Sequence, residues 1–133
     1  MAKPRNTVAV LCVDDEPIGL SVRRMTLESE GYRVFSAENG PDGLRIFLAE
    51  AVDVVILDYK MPGMNGDVVA KEMKRMKPAV PILLLSAYVD LPCETLALVD
   101  KYLTKGEGPV AMLTAIAELI GAESQQPKAA SGI

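Results

Sequence analysis

The chain has no histidine, no tryptophan and only two cysteines, Cys12 and Cys93. Without histidine, and with no cysteine pair at metal-ligand spacing, a zinc site is not expected, and both thiols are read as free. Long apolar runs are missing too: none approaches the ~18 residues that suggest a membrane span. The run Val8-Ala9-Val10-Leu11-Cys12-Val13 is apolar, but Asp14-Asp15-Glu16 follows at once, and the basic residues before it lead into no signal-peptide pattern. These features are read as those of a cytoplasmic protein with no membrane partner. Positive charge is also in short supply, with 14 Lys and Arg against 18 Asp and Glu and a net charge of −4. No basic stripe is present to neutralise phosphates, so direct binding of nucleic acid is not expected.

What is present suits one domain. A length of 133 residues, half of them hydrophobic and about a quarter charged, is enough to bury a real core. Continuous apolar runs that end abruptly suit strands buried on both faces of a parallel sheet. Val8 to Val13 is one, Val54-Val55-Ile56-Leu57-Asp58 a second and Ile82-Leu83-Leu84-Leu85-Ser86 a third; Arg33 to Ala37 and Tyr102-Leu103-Thr104 are weaker runs of the same kind. Helical periodicity fills the gaps. Ile18, Val22 and Met25 follow Pro17, with Gly31 placed as a left-handed cap. Leu44, Phe47, Leu48 and Ala51 make a second apolar stripe, and Val69, Met73 and Met76 a third. A last helix after Pro109 carries Val110, Leu113, Ile116, Ala117 and Ile120 and stops at Gly121. The methionines Met61, Met64, Met73 and Met76 are read as core filler. Strands alternating with helices imply right-handed βαβ units, an α/β fold and a doubly wound parallel sheet covered on both faces. The division expected is an extension over 1–7, a domain over 8–121 and a flexible tail or linker stub over 122–133.

In such a sheet a ligand site lies outside the carboxyl ends of the strands. Asp14 and Asp15 follow the first strand, Asp58 ends the third, Ser86 ends the fourth and Lys105 follows the fifth. Alone, Asp15 just before Pro17 reads equally well as a helix cap, and Ser86 as a strand-end hydroxyl. As a set they demand more. Three crowded carboxylates repel by roughly 4 kcal/mol per pair at ~4 Å and an effective dielectric near 20, so positive charge must offset them. Lys105 supplies one such charge, and a hard oxygen-seeking dication such as Mg²⁺ supplies two while keeping room for a phosphate oxygen. On this view, removing Asp14 or Asp15 weakens Mg²⁺ binding yet stabilises the metal-free fold. An aspartate can act as a nucleophile toward phosphorus, forming an acyl phosphate.

The stretch Val10 to Pro17 and the stretch Val55-Ile56-Leu57-Asp58-Tyr59-Lys60-Met61-Pro62-Gly63-Met64-Asn65-Gly66 resemble the two signature segments of response-regulator receiver domains, with Ser86-Ala87 and Lys105 in register. The resemblance implies a flavodoxin-like fold of strand order 2-1-3-4-5 and a role in two-component phosphorelay signalling rather than turnover of outside substrates. It implies that Asp58 is the phosphoacceptor and that Asp14, Asp15, Asp58 and the Lys60 backbone carbonyl hold Mg²⁺. It further assigns Ser86 and Lys105 to the phosphoryl group, and Ser86 with Tyr102 to the switch. Tyr102 also reads as an ordinary strand aromatic at the core edge. The implied partners are a sensor histidine kinase or phosphotransfer protein and an unnamed downstream protein, with a homodimer through the fourth helix, fifth strand and fifth helix as a further expectation.

Departures accompany the likeness. Gly106 follows Lys105 where the family usually has proline, and a cis bond there would cost about 2.5–4 kcal/mol. Lys105 lies only 19 positions beyond Ser86, and Val99-Asp100 replaces a Gly-Ala pair. Little chain remains for the fourth helix, which is expected between Asp90 as cap and Val99, with Pro92 in its first turn, and to be short or irregular. Two other readings stay open: a Mg²⁺-dependent phosphohydrolase using Asp58, which would want a second acid where Lys60 stands, and a receiver-like interaction module independent of phosphorylation.

Overall fold

The computed structural model describes residues 5–88 and 90–121, and the segment expected as a tail lies outside them. After a 3-10 turn over residues 5–7, the order is β1 (Ala9–Val13), α1 (Pro17–Ser29), β2 (Arg33–Ala37), α2 (Gly40–Ala49), β3 (Val54–Asp58), α3 (Gly66–Met76), β4 (Ile82–Ser86), α4 (Cys93–Leu96), β5 (Lys101–Thr104) and α5 (Gly108–Leu119). The strands form one parallel sheet in the order β2-β1-β3-β4-β5. It is the doubly wound α/β fold expected.

The three central strands are buried along their whole length, which is why they read as unbroken apolar runs. Alternate residues point to opposite faces. Val10, Cys12, Ile56 and Leu83 meet Leu20 and Leu27 of α1 and Met112, Ala115 and Ile116 of α5 on one side; Leu11, Val13, Leu57 and Leu84 meet Phe47 of α2 and Val69 and Met73 of α3 on the other. Pro17 opens α1, and Gly31 and Gly121 follow α1 and α5 at positive φ, 95° and 68°.

Helix faces depart from the expected stripes. Ile18, Val22 and Met25 are 76, 57 and 67% exposed, and the inward positions of α1 are Leu20, Arg23 and Leu27. A charged residue at the centre of the inward face breaks its apolar pattern and leaves the outer stripe as the more regular one. In α2 the inward positions are Gly40, Gly43 and Phe47, while Leu48 is exposed and Ala51 lies past the helix. Those glycines let α2 sit close: a Cβ at Gly43 would come within 2.9 Å of Val13, and one at Gly40 within 2.9 Å of Val69. The stripe of α3 is as expected, with Val69 and Met73 fully buried. In α5, Val110 is exposed and Met112, Ala115, Ile116 and Ala117 are buried.

The fourth helix is shorter than its sequence allowance, a single turn over Cys93–Leu96. Pro92, not Asp90, occupies its N-cap position, because the proline's missing N–H needs no helical partner and its φ of −59° leads into the turn. Asp100 accounts for another departure. Its Oδ2 accepts from the Ile82 N–H at 2.8 Å and from Lys74 Nζ at 2.6 Å, fastening α3 and the start of β4 to the approach to β5.

Candidate functional site

At the carboxyl edge of the sheet, Asp14, Asp15 and Asp58 each present a carboxylate oxygen, all within 4.8 Å of one another. Asp14 is wholly buried and Asp58 is 5% exposed. Strand geometry brings them together: β1 and β3 are paired neighbours, with Val13 opposite Leu57, so the residues after Val13 and Leu57 emerge side by side. Lys105, just past β5, lies beside them, with Nζ 2.8 Å from Asp58 Oδ1 and 3.3 Å from Asp14 Oδ2.

No proline shapes the turn that carries Lys105, and among the described residues there is no cis peptide bond. A capping box does this instead. Glu107 Oε2 accepts from the Thr104 N–H at 2.9 Å, closing the 3-10 turn Lys105–Glu107. The loop after Asp58 is held just as locally: the Met61 N–H donates to Asn65 Oδ1 at 3.0 Å and the Gly66 N–H to the Tyr59 carbonyl at 2.6 Å. Gly66 is required there, since a Cβ would stand 2.4 Å from the Asp58 carbonyl oxygen. Lys60 lies in this loop, exposed, two residues after Asp58.

Asp58 and Asp14 are neighbours with opposite electrostatics. Burial pushes the Asp58 carboxyl up to about 6; the Lys105 hydrogen bond works against this, and the charges of Asp14 and Asp15 reinforce it. Burial also raises Asp14, but the Glu16 N–H, Lys105 and Arg23 outweigh it and hold Asp14 below the usual carboxylate range. Lys105 is raised despite its partial burial because Asp58 and Asp14 favour the ammonium form.

Arg23 was not among the residues picked from the sequence. Its Nη1 lies 3.0 Å from Asp14 Oδ2 with the side chain 12% exposed. The available signal was an arginine interrupting the spacing of Leu20 and Leu27, visible once those two, rather than Ile18 and Val22, are taken as the inward face. Its presence adds a contribution that the expectation for Asp14 left out. Removing the Asp14 carboxylate relieves its repulsion of Asp58 but also leaves the Arg23 guanidinium without this partner, an opposing cost. At Asp58 the repulsion from Asp14 and Asp15 adds to the cost of burial.

Ser86 is 1% exposed at the end of β4, and its hydroxyl accepts from the Tyr88 N–H at 2.9 Å. Tyr102 on β5 donates its hydroxyl to the Tyr88 carbonyl. Both residues expected to switch thus meet at one point of the chain after β4. Glu16 is exposed and not one of the three clustered acids, while its N–H donates to Asp14 Oδ1 at 3.0 Å.

Comparison with known proteins agrees with this arrangement. The profile of the response regulator receiver domain matches residues 10–117. The transcriptional regulatory protein GlrR of Escherichia coli K12 is 40% identical over 83 residues, 62% of this chain and 19% of GlrR. The alkaline phosphatase synthesis transcriptional regulatory protein PhoP of Bacillus subtilis is 33% identical over 103 residues, 75% of this chain and 43% of PhoP. The chain therefore spans less than half the length of either relative. Among solved structures, the response regulator TrrA of Thermotoga maritima, in complex with Mg²⁺ and BeF, is 34% identical with a TM-score of 0.79, covering 85% of this chain and 99% of TrrA. TrrA in complex with the histidine kinase ThkA is 32% identical with a TM-score of 0.79, covering 86% of this chain and 99% of that one. The strand order, the acids and lysine gathered at one sheet edge and a profile spanning most of the chain have one explanation: this chain belongs to the response regulator receiver domain family.

Proposed function

We propose that this receiver accepts a phosphoryl group on Asp58 from a histidine kinase or phosphotransfer protein and relays the change to a partner. The observation that carries this reading is Asp58 itself, a nearly buried carboxylate ending a central strand beside two further acids and a lysine. A carboxylate oxygen of Asp58 would bond phosphorus as the phosphorus–nitrogen bond of the donor breaks, the electron pair leaving on the imidazole. Lys105, 2.8 Å from Asp58, would follow the negative charge onto the phosphoryl oxygens.

The all-oxygen donor set of Asp14, Asp15 and Asp58 fits Mg²⁺, and the TrrA complex with Mg²⁺ and BeF supports that choice. Asp14, Asp15, Asp58 and the Lys60 carbonyl would hold the ion, which when bound supplies charge to offset the phosphoryl oxygens. Ser86 would release the Tyr88 N–H to reach the phosphoryl group, and Tyr102 would then lose its tie to the same residue. The single turn of α4, with β5 and α5 beside it, is the surface we assign to the downstream partner or to a second copy of the chain. The exposed stripe of Ile18, Val22 and Met25 on α1 suits docking of the donor next to the site. We take residues 8–121 as the functional unit and place it in the cytoplasm, where Cys12 and Cys93 stay reduced.

Acetyl phosphate with Mg²⁺, followed by mass spectrometry, tests the reading. One labile phosphoryl adduct is expected, and none on Asp58→Asn. Equal labelling of that variant would overturn the assignment, and sustained turnover of a simple phosphate monoester would favour a hydrolase.

A further inference from the structure

The inward face of α1 places Arg23 between Leu20 and Leu27, and a guanidinium is not buried at such a position without a partner. That partner is Asp14, both of whose oxygens are engaged. Oδ1 accepts from the Glu16 N–H at 3.0 Å, and Oδ2 faces Arg23 Nη1 at 3.0 Å and Lys105 Nζ at 3.3 Å. Gly19, one turn before Arg23, keeps this place open. A Cβ there would stand 3.5 Å from Glu16 Oε1, 3.6 Å from Arg23 Nη2 and 4.0 Å from Asp14 Oδ2, so a longer side chain would compete with the guanidinium for space. Arg23 also borders a cavity of about 320 Å³ between α1 and α5, lined by Gly19, Thr26, Leu103, Lys105 and Met112 among others.

We infer that Arg23 is a built-in counter-ion that competes with the metal for Asp14, and that the α1–α5 cavity is where its side chain goes when the metal binds. The inference rests on the Mg²⁺ reading above. Arg23 and Lys105 share Asp14 Oδ2, so a dication cannot take that oxygen while both cations remain, and like charges at such range oppose its approach. Lys105 has a second carboxylate, Asp58, at 2.8 Å to fall back on. Arg23 has the cavity. By linkage, whatever holds Arg23 on Asp14 weakens the metal, and whatever draws it away strengthens the metal by the same factor. Metal affinity is then set by a residue that need not touch the ion, and filling the cavity from outside would lower it.

Calorimetric titration with MgCl₂ at fixed pH and ionic strength tests this on the wild-type chain, Arg23→Gln, Arg23→Lys and Thr26→Leu. Arg23→Gln should bind Mg²⁺ about tenfold more tightly, within the usual range of coupling between sites. Thr26→Leu leaves Arg23 and Asp14 in place but narrows the cavity, so it should weaken binding several-fold, whereas Arg23→Lys should change it least. In the wild-type chain the Arg23 Nε–Hε resonance should shift as Mg²⁺ saturates. Unchanged or weaker affinity in folded Arg23→Gln, with the wild type binding normally, would overturn the role of Arg23 and leave the metal reading intact. A fixed Arg23 resonance through Mg²⁺ saturation would do the same without any variant. If no folded variant and no wild-type chain bound Mg²⁺, the metal reading would fail first and the competition with it.

Discussion

The two faces of the sheet are built to different tolerances. On the side of α2 and α3, glycines at 40 and 43 bring helix against strand and loop until even a methyl group would press on Val13, Val69 or Met64. On the side of α1 and α5 an arginine stands in the inward row, a cavity of about 320 Å³ remains, and Ile18, Val22, Met25 and Val110 face outward. Both faces cover the same strands. The difference is that the first fixes where β1 and β3 deliver Asp14 and Asp58, whereas the second leaves room for side chains near those acids to move.

The largest effect should come from loosening the tight face. Phe47→Ala, which empties a fully buried site, is expected to cost about 4 kcal/mol of unfolding free energy, and Met112→Ala opposite only about 2, since the neighbouring cavity already deprives it of contacts. Denaturant melts at constant slope measure both; equal losses would mean the two faces are packed alike. Next in size is Asp58. Its carboxyl, at about 6 when folded, lies above the ordinary 3.8, so well below pH 3.8 it is neutral in both states and costs nothing. As pH rises from 4 to 6 the unfolded chain loses the proton first, and the folded state becomes progressively less favoured. Metal-free Asp58→Asn should therefore be more stable than wild type by about 2–3 kcal/mol at pH 7 and by less than about 1 kcal/mol at pH 4. An advantage that grew toward low pH would have the wrong sign.

Smaller changes sharpen the contrast. Gly43→Ala should destabilise by about 1–3 kcal/mol through overpacking against Val13, while Thr26→Leu, which fills part of the α1–α5 cavity, should stabilise by about 1 kcal/mol. Thermal melts giving both variants the same sign would erase the distinction. The smallest effect is kinetic. Tyr88 is 51% exposed two residues after Ser86 and Lys60 is exposed two after Asp58, and shielding of a phosphorylated Asp58 from in-line water is the role expected of both. Tyr88→Ala should speed loss of the phosphoryl group several-fold, less than about 1.4 kcal/mol of barrier; an unchanged or slower rate would remove shielding as its role.

How much of this was legible in the sequence follows from what each residue reports. Strands buried on both faces announce themselves, and Val54 to Asp58 and Ile82 to Ser86 fell at their observed limits because every residue in them is apolar up to the functional one. The acids and Lys105 were found because strand ends in such a sheet must converge. Helix orientation was harder. Periodicity reports that a stripe exists, not which stripe faces inward, and α1 carries two, of which the inward one contains Arg23. Glycine in α2 gave no hydrophobic signal at all, although Gly43 is buried against Val13. The pairing of Arg23 with Asp14 depends on how α1 is rotated over the sheet, and no local pattern encodes that. Asp100 and Glu107 show the same limit, since their hydrogen bonds explain two departures only once their partners are known.

The two thiols offer a practical opening. Cys12 is sealed in β1, where burial pushes its thiol up to about 12, so it should ignore alkylating reagents in the folded protein. Cys93 is exposed at the first position of the single turn between β4 and β5. A maleimide dye or spin label added to the unaltered chain should therefore settle on one atom, at the surface assigned to the partner. The molecule comes already fitted with a handle for watching that short helix in real time, with no engineering of the sequence.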